Sequence, residues 1–362
     1  MNKETWPRVD ARSFLIVCLR YLGDVLVTTP LALSIKTAYP DAKVDYLVFK
    51  GSENVLAKNP CIANIITVSK NSNNLLALFS LYKKYDVAIA TNVSDRAAIA
   101  SAIAGKRSIG LTYGRAGELW KYFLFDMHQT YLDRLHVVSN MLSLTYQLGI
   151  PAIPRVVMGY DDDDIAFAQS VAPYKRYIVL HPYSQKSYKY WPTENWIRLA
   201  GLINEQTDCE PVFTRSPDPE GKHYLEQIID TFRGIRAIDA LCSLNQLAAI
   251  IKGSVAYVGI DTAITHVAAS LEVPTIALYG PTWTRYWAPW PNNCGEQSPF
   301  APNKGIQCKD YVTVVQRDWG CVPCNKETCA ISTCGKIECM EQITPEIVFK
   351  EVIKNVSRHD QQ

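Results

Sequence analysis

No stretch of this 362-residue chain approaches the roughly 18 uninterrupted apolar residues that a membrane-spanning helix needs. The leading residues Met1–Arg12 are polar and of mixed charge, and the apolar run after them, Phe14–Leu19, is too short for the core of a secretory signal. An excess of either charge is also lacking. The 37 Lys and Arg stand against 35 Asp and Glu, a net of +2, which gives no general pull toward nucleic acid or an anionic membrane and leaves only a local basic patch open. Internal repeats and low-complexity tracts are missing, and 18 Gly with 20 Pro are near ordinary usage, which excludes collagen-like and linker-rich chains. The expectation is a cytoplasmic globular protein.

What is there fits that expectation. The 48% of hydrophobic residues can bury a core, and the length suits two domains at about 150 residues each. Cysteine is plentiful, eleven in all, but most of it falls between Cys294 and Cys339. Local clustering without an export signal points to a metal site or to reduced thiols rather than to a disulfide scaffold.

Short apolar runs alternate with helix-period segments, twice over. Ser13–Leu19, Val44–Phe49, Ile65–Val68 and Asp86–Ala90 read as strands, with helical spacing at Val25–Thr37, Leu75–Lys84 and Arg96–Ala104. A long amphipathic helix, His136–Leu148, ends at Gly149 as C-cap. After a boundary between Pro151 and Lys175 the alternation restarts. Strands are expected at Tyr177–Leu180, Pro211–Thr214, Ala256–Ile260 and Thr275–Tyr279, and helices at Trp196–Asn204, Tyr224–Phe232, Leu244–Ile251 and Thr262–Leu271. Such alternation predicts an α/β protein with two parallel sheets, residues 1–160 and 161–344, and a ligand site outside the carboxyl ends of the strands. A terminal helix, within 345–362, is expected to pack back across the first domain.

Three segments carry chemistry. RYLGDVLVTTP (Arg20–Pro30) leaves the first strand, but Gly23 stands alone, so the glycine fingerprint of a nicotinamide enzyme is missing. Asp24 at that helix start is either an N-cap or a base for a hydroxyl proton. GIDTAITHVAA (Gly259–Ala269) ends a strand and opens a small-residue helix, where backbone N–H groups and Thr262 make an anion site, with His266 behind them. HPYSQKSYKYWP (His181–Pro192) offers Ser184 and Lys189 to phosphate oxygens. The acidic run Asp161–Asp164 suits the first turn of a helix rather than a metal site.

Together these segments, with YGPTW (Tyr279–Trp283), resemble glycosyltransferase family 9, the ADP-heptose:lipopolysaccharide heptosyltransferases. FTRSPDP (Phe213–Pro219) and CVPC (Cys321–Cys324) make the chain most similar to its heptosyltransferase III type. The resemblance implies a GT-B fold, two Rossmann-like domains facing a central cleft, and inverting transfer from ADP-L-glycero-β-D-manno-heptose to the lipopolysaccharide inner core. It implies an N-terminal acceptor domain and a C-terminal nucleotide-sugar domain. Asp24 becomes the general base and Lys189 the counter-charge to departing ADP. Asp261 meets the heptose, Ser184, Thr262, Ala263, His266 and Thr282 lie at the donor, and Glu220 falls near the ribose. Ala263 replaces the family's glycine. Arg20 and Arg96, with Arg134, are offered to acceptor phosphates, and the aromatic loop Trp283–Trp290 to packing or to the cleft. No cofactor is implied for catalysis. Cys321, Cys324, Cys329 and Cys339 would form a structural Zn or Fe site, with Cys334 or Cys308 as substitutes, or else a reduced cluster. Expected partners are the ADP-heptose donor, the lipopolysaccharide acceptor and, peripherally, the inner face of the inner membrane, with no nucleic acid. Rivals are a family member with another donor or a protein acceptor, and a silent binding member.

Overall fold

The computed structural model describes residues 10–71, 78–172, 175–231, 236–238, 241–302, 305–332 and 336–359. It divides into one unit running to Gly159, with Gly295–Gln297, and a second formed by Tyr160–Cys294 and the rest of the chain.

The first unit is built on six parallel strands: β1 (Ser13–Cys18), β2 (Lys43–Phe49), β3 (Asn64–Val68), β4 (Tyr85–Ala90), β5 (Gly105–Thr112) and β6 (Met127–Thr130). Their order, β3-β2-β1-β4-β5-β6, reverses direction between β1 and β4. That reversal is a topological switch point, where the loops leaving two adjacent strands part and open a crevice. Central β1 and β4 are apolar on both faces because helices cover both; Phe14, Leu15, Val87 and Ala88 are fully buried.

The second unit repeats the plan with β7 (Tyr177–His181), β8 (Glu210–Phe213), β9 (Arg236–Ala237), β10 (Ala256–Ile260), β11 (Thr275–Tyr279), β12 (Ile306–Lys309) and β13 (Val312–Gln316). The order is β12-β13-β11-β10-β7-β8-β9, parallel except for the β12/β13 hairpin edge. Here the switch point lies between β7 and β10, which pair in register from Ala256 against Ile178 to Gly259 against His181.

Several expectations are corrected. Val25–Thr37 is two helices, Leu22–Leu26 and Thr29–Ala38. The Thr28 and Thr29 hydroxyls donate to the Val25 and Leu26 carbonyls, and Pro30 has no N–H to continue the ladder. Within Leu75–Lys84, residues 75–77 lie outside the described residues; Leu78 and Phe79 are helical and residues 80–83 turn. The terminal helix Pro345–His359 is counted with the second unit. Its Val348, Val352 and Val356 enter the core of the second unit with Trp196, Leu199 and Ile203 of the helix Thr193–Gln206. One apolar stripe at helical spacing is buried there, so that face serves the second unit. Asp161 and Asp164 form a reciprocal capping box on Asp162–Val171, the helix-start role expected for those acids.

Candidate active site

In the first unit β1 runs directly into the helix Leu22–Leu26, which puts Asp24 in its first turn at the switch point. The N-cap residue is Tyr21 and no side chain caps the helix, so Asp24 is not an N-cap. Arg20 Nε lies 3.4 Å from Asp24 Oδ1, one turn apart, with Arg20 half-exposed and Asp24 largely sheltered. Burial pushes the Asp24 carboxyl above its ordinary aspartate value, and the Arg20 guanidinium pulls it part of the way back. A carboxylate held this way accepts a proton more readily than a surface aspartate.

The rim around Asp24 is basic and aromatic. Lys70, just past β3, donates to the Tyr21 hydroxyl at 3.1 Å and sits 4.6 Å from that ring's centroid. Arg96, exposed in the first turn of the helix Asp95–Ala104, donates to the Lys70 carbonyl at 2.8 Å, so two cations share one edge with Arg20. Tyr131 packs edge-on against Tyr113. Its phenol is pushed up to about 12 by burial and then by neighbours that include Asp24. Arg115 lies over the other ring, 4.4 Å from the Tyr113 centroid. Sequence reasoning missed Lys70, Tyr113 and Tyr131; their one signal is a place just past the carboxyl end of a strand. Arg134 is exposed.

In the second unit the segments leaving β7 and β10 meet. Lys189 Nζ stands 2.6 Å from Asp261 Oδ2, with side chains 20% and 8% exposed. Thr282, from the turn after β11, donates to the same oxygen at 2.6 Å. Three strand ends therefore converge on one carboxylate. Gln316, at the end of β13, donates to the Gly280 and Thr282 carbonyls at 2.8 and 2.9 Å and holds that turn; sequence reasoning missed it. Thr262 is the N-cap of the helix Ala263–Ser270, but its hydroxyl makes no capping bond, and Thr262, Ala263 and Ile264 are partly accessible. The first-turn amides are thus open to an anion beside the Lys189 ammonium. His266 is buried beneath them; burial pushes its ring down to about 4, so it is neutral at physiological pH, and its Nδ1 has no hydrogen-bond partner among the described residues.

Two expected donor residues stand otherwise. The Ser184 hydroxyl is bonded to the backbone of its own loop, donating to the Lys186 carbonyl and accepting from the Lys186 N–H. Glu220 is exposed in the first turn of the helix Pro219–Ile229, which Asp218 caps by accepting from the Gly221 N–H at 2.9 Å. In the aromatic loop Trp290 is buried as packing, while Trp283 and Tyr286 lie with ring centroids 5.5 Å apart, tilted by 31°, and are partly accessible.

The cysteine expectation finds no support as a metal site. Cys321, Cys324, Cys329 and Cys339 do line one pocket with Trp319 and Ile337. Burial, then the neighbouring cysteines, pushes the Cys339 thiol up to about 12, which favours the neutral form. Among the described residues no group of three or more His, Cys, Asp or Glu side chains could hold a metal ion. Cys334 lies outside the described residues, and Cys308 is exposed with its thiol toward the Asp310 carbonyl. No described helix is long and apolar enough to cross a membrane.

Comparison with known proteins gives the family and the fold. The model of glycosyltransferase family 9 (heptosyltransferase) matches residues 79–314. Lipopolysaccharide heptosyltransferase 3 of Escherichia coli K12 is 25% identical over 299 residues, covering 76% of this chain and 84% of that protein. Lipopolysaccharide heptosyltransferase 1 of Pseudomonas aeruginosa is 26% identical over 332 residues, 87% of this chain and 86% of its own. Among solved structures, the ADP-heptose lipopolysaccharide heptosyltransferase II of E. coli superposes with a TM-score of 0.73 at 19% identity, covering 96% of this chain and 99% of that one.

Proposed function

This chain belongs to glycosyltransferase family 9, with the GT-B architecture of two Rossmann-like units, and on that premise we propose that it is an inverting heptosyltransferase of the lipopolysaccharide inner core. The donor in this reading is ADP-L-glycero-β-D-manno-heptose, and the product is a side-branch heptose. The side-branch type is supported by the similarity to heptosyltransferase 3 of E. coli. The observation that carries the reading is the Lys189–Asp261–Thr282 group beside an open helix N-terminus, a site suited to a sugar diphosphate.

In the reaction the acceptor hydroxyl gives its proton to Asp24 while its oxygen attacks the anomeric carbon. The bond from that carbon to the β-phosphate oxygen breaks, ADP leaves from the opposite face, and the configuration inverts. Proton removal needs a carboxylate in its ionised form, and the raised affinity of Asp24 for a proton makes it the stronger base. The charge appearing on ADP meets the Lys189 ammonium and the amides at Thr262–Ile264, so the mechanism has no step through a metal. Asp261 orients Lys189 and faces the heptose, Glu220 takes the ribose hydroxyls, and Ser184 a phosphate oxygen. Arg20 and Arg96 hold acceptor phosphates. A lipid-anchored acceptor brings the enzyme to the inner face of the inner membrane.

The test is ADP release from purified protein given ADP-β-heptose and truncated inner-core acceptors, alongside Asp24→Asn. Release that depends on the acceptor and collapses in the variant is expected. Release that survives in the variant removes Asp24 as the base, and no release with any heptosylated core overturns the substrate assignment.

A further inference from the structure

The helix Leu119–Leu124 of the first unit is amphipathic the wrong way round. Its lysine points inward: Lys121 is 2% exposed, bonded to the Val93 carbonyl and paired with Glu118 at 2.9 Å and Asp95 at 3.0 Å. Three of its apolar side chains are exposed, Phe123 90%, Leu119 53% and Trp120 38%, while Leu124 packs on the core. A soluble surface helix normally does the reverse. These side chains are not isolated. The Lys121 contacts dock the helix at the N-terminal end of the helix Asp95–Ala104, whose outward Ile99 is also exposed. At the other end of that helix the Lys83 N–H donates to the Ile103 carbonyl at 2.9 Å and Lys83 Nζ to the Gly105 carbonyl at 2.7 Å. That docks the turn carrying Phe79 and Tyr82, both more than half exposed. All three segments cover the same face of the first sheet, over Leu15, Val17, Ala88 and Ala90. Half of the exposed large hydrophobic side chains of the described residues thus fall on one side of one unit, whereas singly scattered ones would need no explanation.

Charge says what covers this face. Between Phe79 and Leu124 six Lys and Arg are exposed, Lys121 being buried, against three Asp and Glu, 6 − 3 = +3, while the whole chain is only +2. Aromatic side chains among cations suit the headgroup layer of an anionic bilayer, where rings enter the interface and cations meet lipid phosphates. The face also runs to the acceptor rim, because Arg96 opens the helix Asp95–Ala104 and reaches the Lys70 carbonyl. We propose that this face docks the first unit onto an anionic lipid surface, with Trp120 and Phe123 in the headgroup region; the proposal rests on the reading that the acceptor is lipid-anchored.

The experiment is co-sedimentation of the full chain with vesicles of phosphatidylethanolamine and phosphatidylglycerol, and with phosphatidylcholine alone. Wild type should bind the anionic vesicles and lose them at high salt. Trp120→Ser/Phe123→Ser should bind roughly tenfold less, and Lys84→Gln should weaken the salt-sensitive part of binding. Both variants should release ADP normally with a delipidated core oligosaccharide, which shows that they fold. Equal vesicle binding by wild type and variants, or none by wild type, overturns the proposal. So does a wild-type dimer that Phe123→Ser dissolves, since the occupant would then be a second copy. If no core acceptor supports ADP release, the substrate assignment fails separately, because vesicle binding is read without turnover.

Discussion

Asp24 and Asp261 each lie just past a strand that borders a switch point, Asp24 after the first strand of its sheet and Asp261 after the strand across the switch from the first, and their surroundings differ. Asp24 has one half-exposed cation at 3.4 Å, a contact that water screens, and burial outweighs it, so the carboxyl holds a proton more tightly than usual. Asp261 has a sheltered ammonium at 2.6 Å and a threonine hydroxyl at 2.6 Å on the same oxygen. Topology supplies the position, and the partners decide the use. One carboxylate is left basic enough to take a proton; the other is tied into holding a cation at an anion site.

The largest expected effect breaks the basic side. Asp24→Asn keeps the shape and removes the proton acceptor, so kcat should fall by about 10²–10⁴-fold with thermal unfolding unchanged. A loss of only a few-fold would make the two aspartates more alike than their surroundings suggest. The next effect breaks the tied side. Lys189→Met removes the charge facing the departing diphosphate, and kcat/KM should fall by about 10²–10³-fold. It also leaves Asp261 buried without its cation, so the melting temperature should drop. Adding Asp261→Asn should restore stability without restoring turnover, and recovery of turnover would show that Lys189 serves only its partner.

The two sites were unequally legible. The strands that frame them are plain apolar runs, such as Phe14–Cys18 and Ala256–Ile260, and the Asp24 turn follows directly from its strand. The Lys189–Asp261 contact joins residues from segments leaving β7 and β10, which are far apart in sequence. No local pattern shows it; the parallel order of the strands implies only that both segments reach the same edge. Polar edges hid other elements. β5 opens with exposed Lys106 and Arg107, and the β12/β13 hairpin lies where the cysteines dominate the composition. The helix Leu119–Leu124 escaped because three of its apolar side chains are outside and its lysine inside, the inverse of the pattern a reader looks for.

A smaller effect sharpens the comparison through pH. Only ionised Asp24 can act as base, so kcat/KM should fall as pH drops through its pKa, which lies above the ordinary 3.8 of aspartate. Arg20 lowers that pKa, so Arg20→Ala should move the acidic limb to higher pH, and a limb that does not move would separate Arg20 from the base. The same profile measured with Lys189→Met should keep its acidic limb, because that lysine acts on the other carboxylate.

The smallest expected effect concerns Ala263, first residue of the helix whose amides face the anion site. The family pattern has glycine there, and a methyl group at a helix N-terminus stands between backbone and ligand when a phosphate approaches closely. Ala263→Gly should lower the donor KM a few-fold and leave kcat unchanged, since ground state and transition state share the closer approach. The substitution also removes helix preference, at most about 1 kcal/mol, so the melting temperature should fall by a few degrees. The two readouts separate the causes: a lower melting temperature with an unchanged KM means that the methyl points away from the diphosphate, and the anion then rests on Thr262 and Lys189 alone.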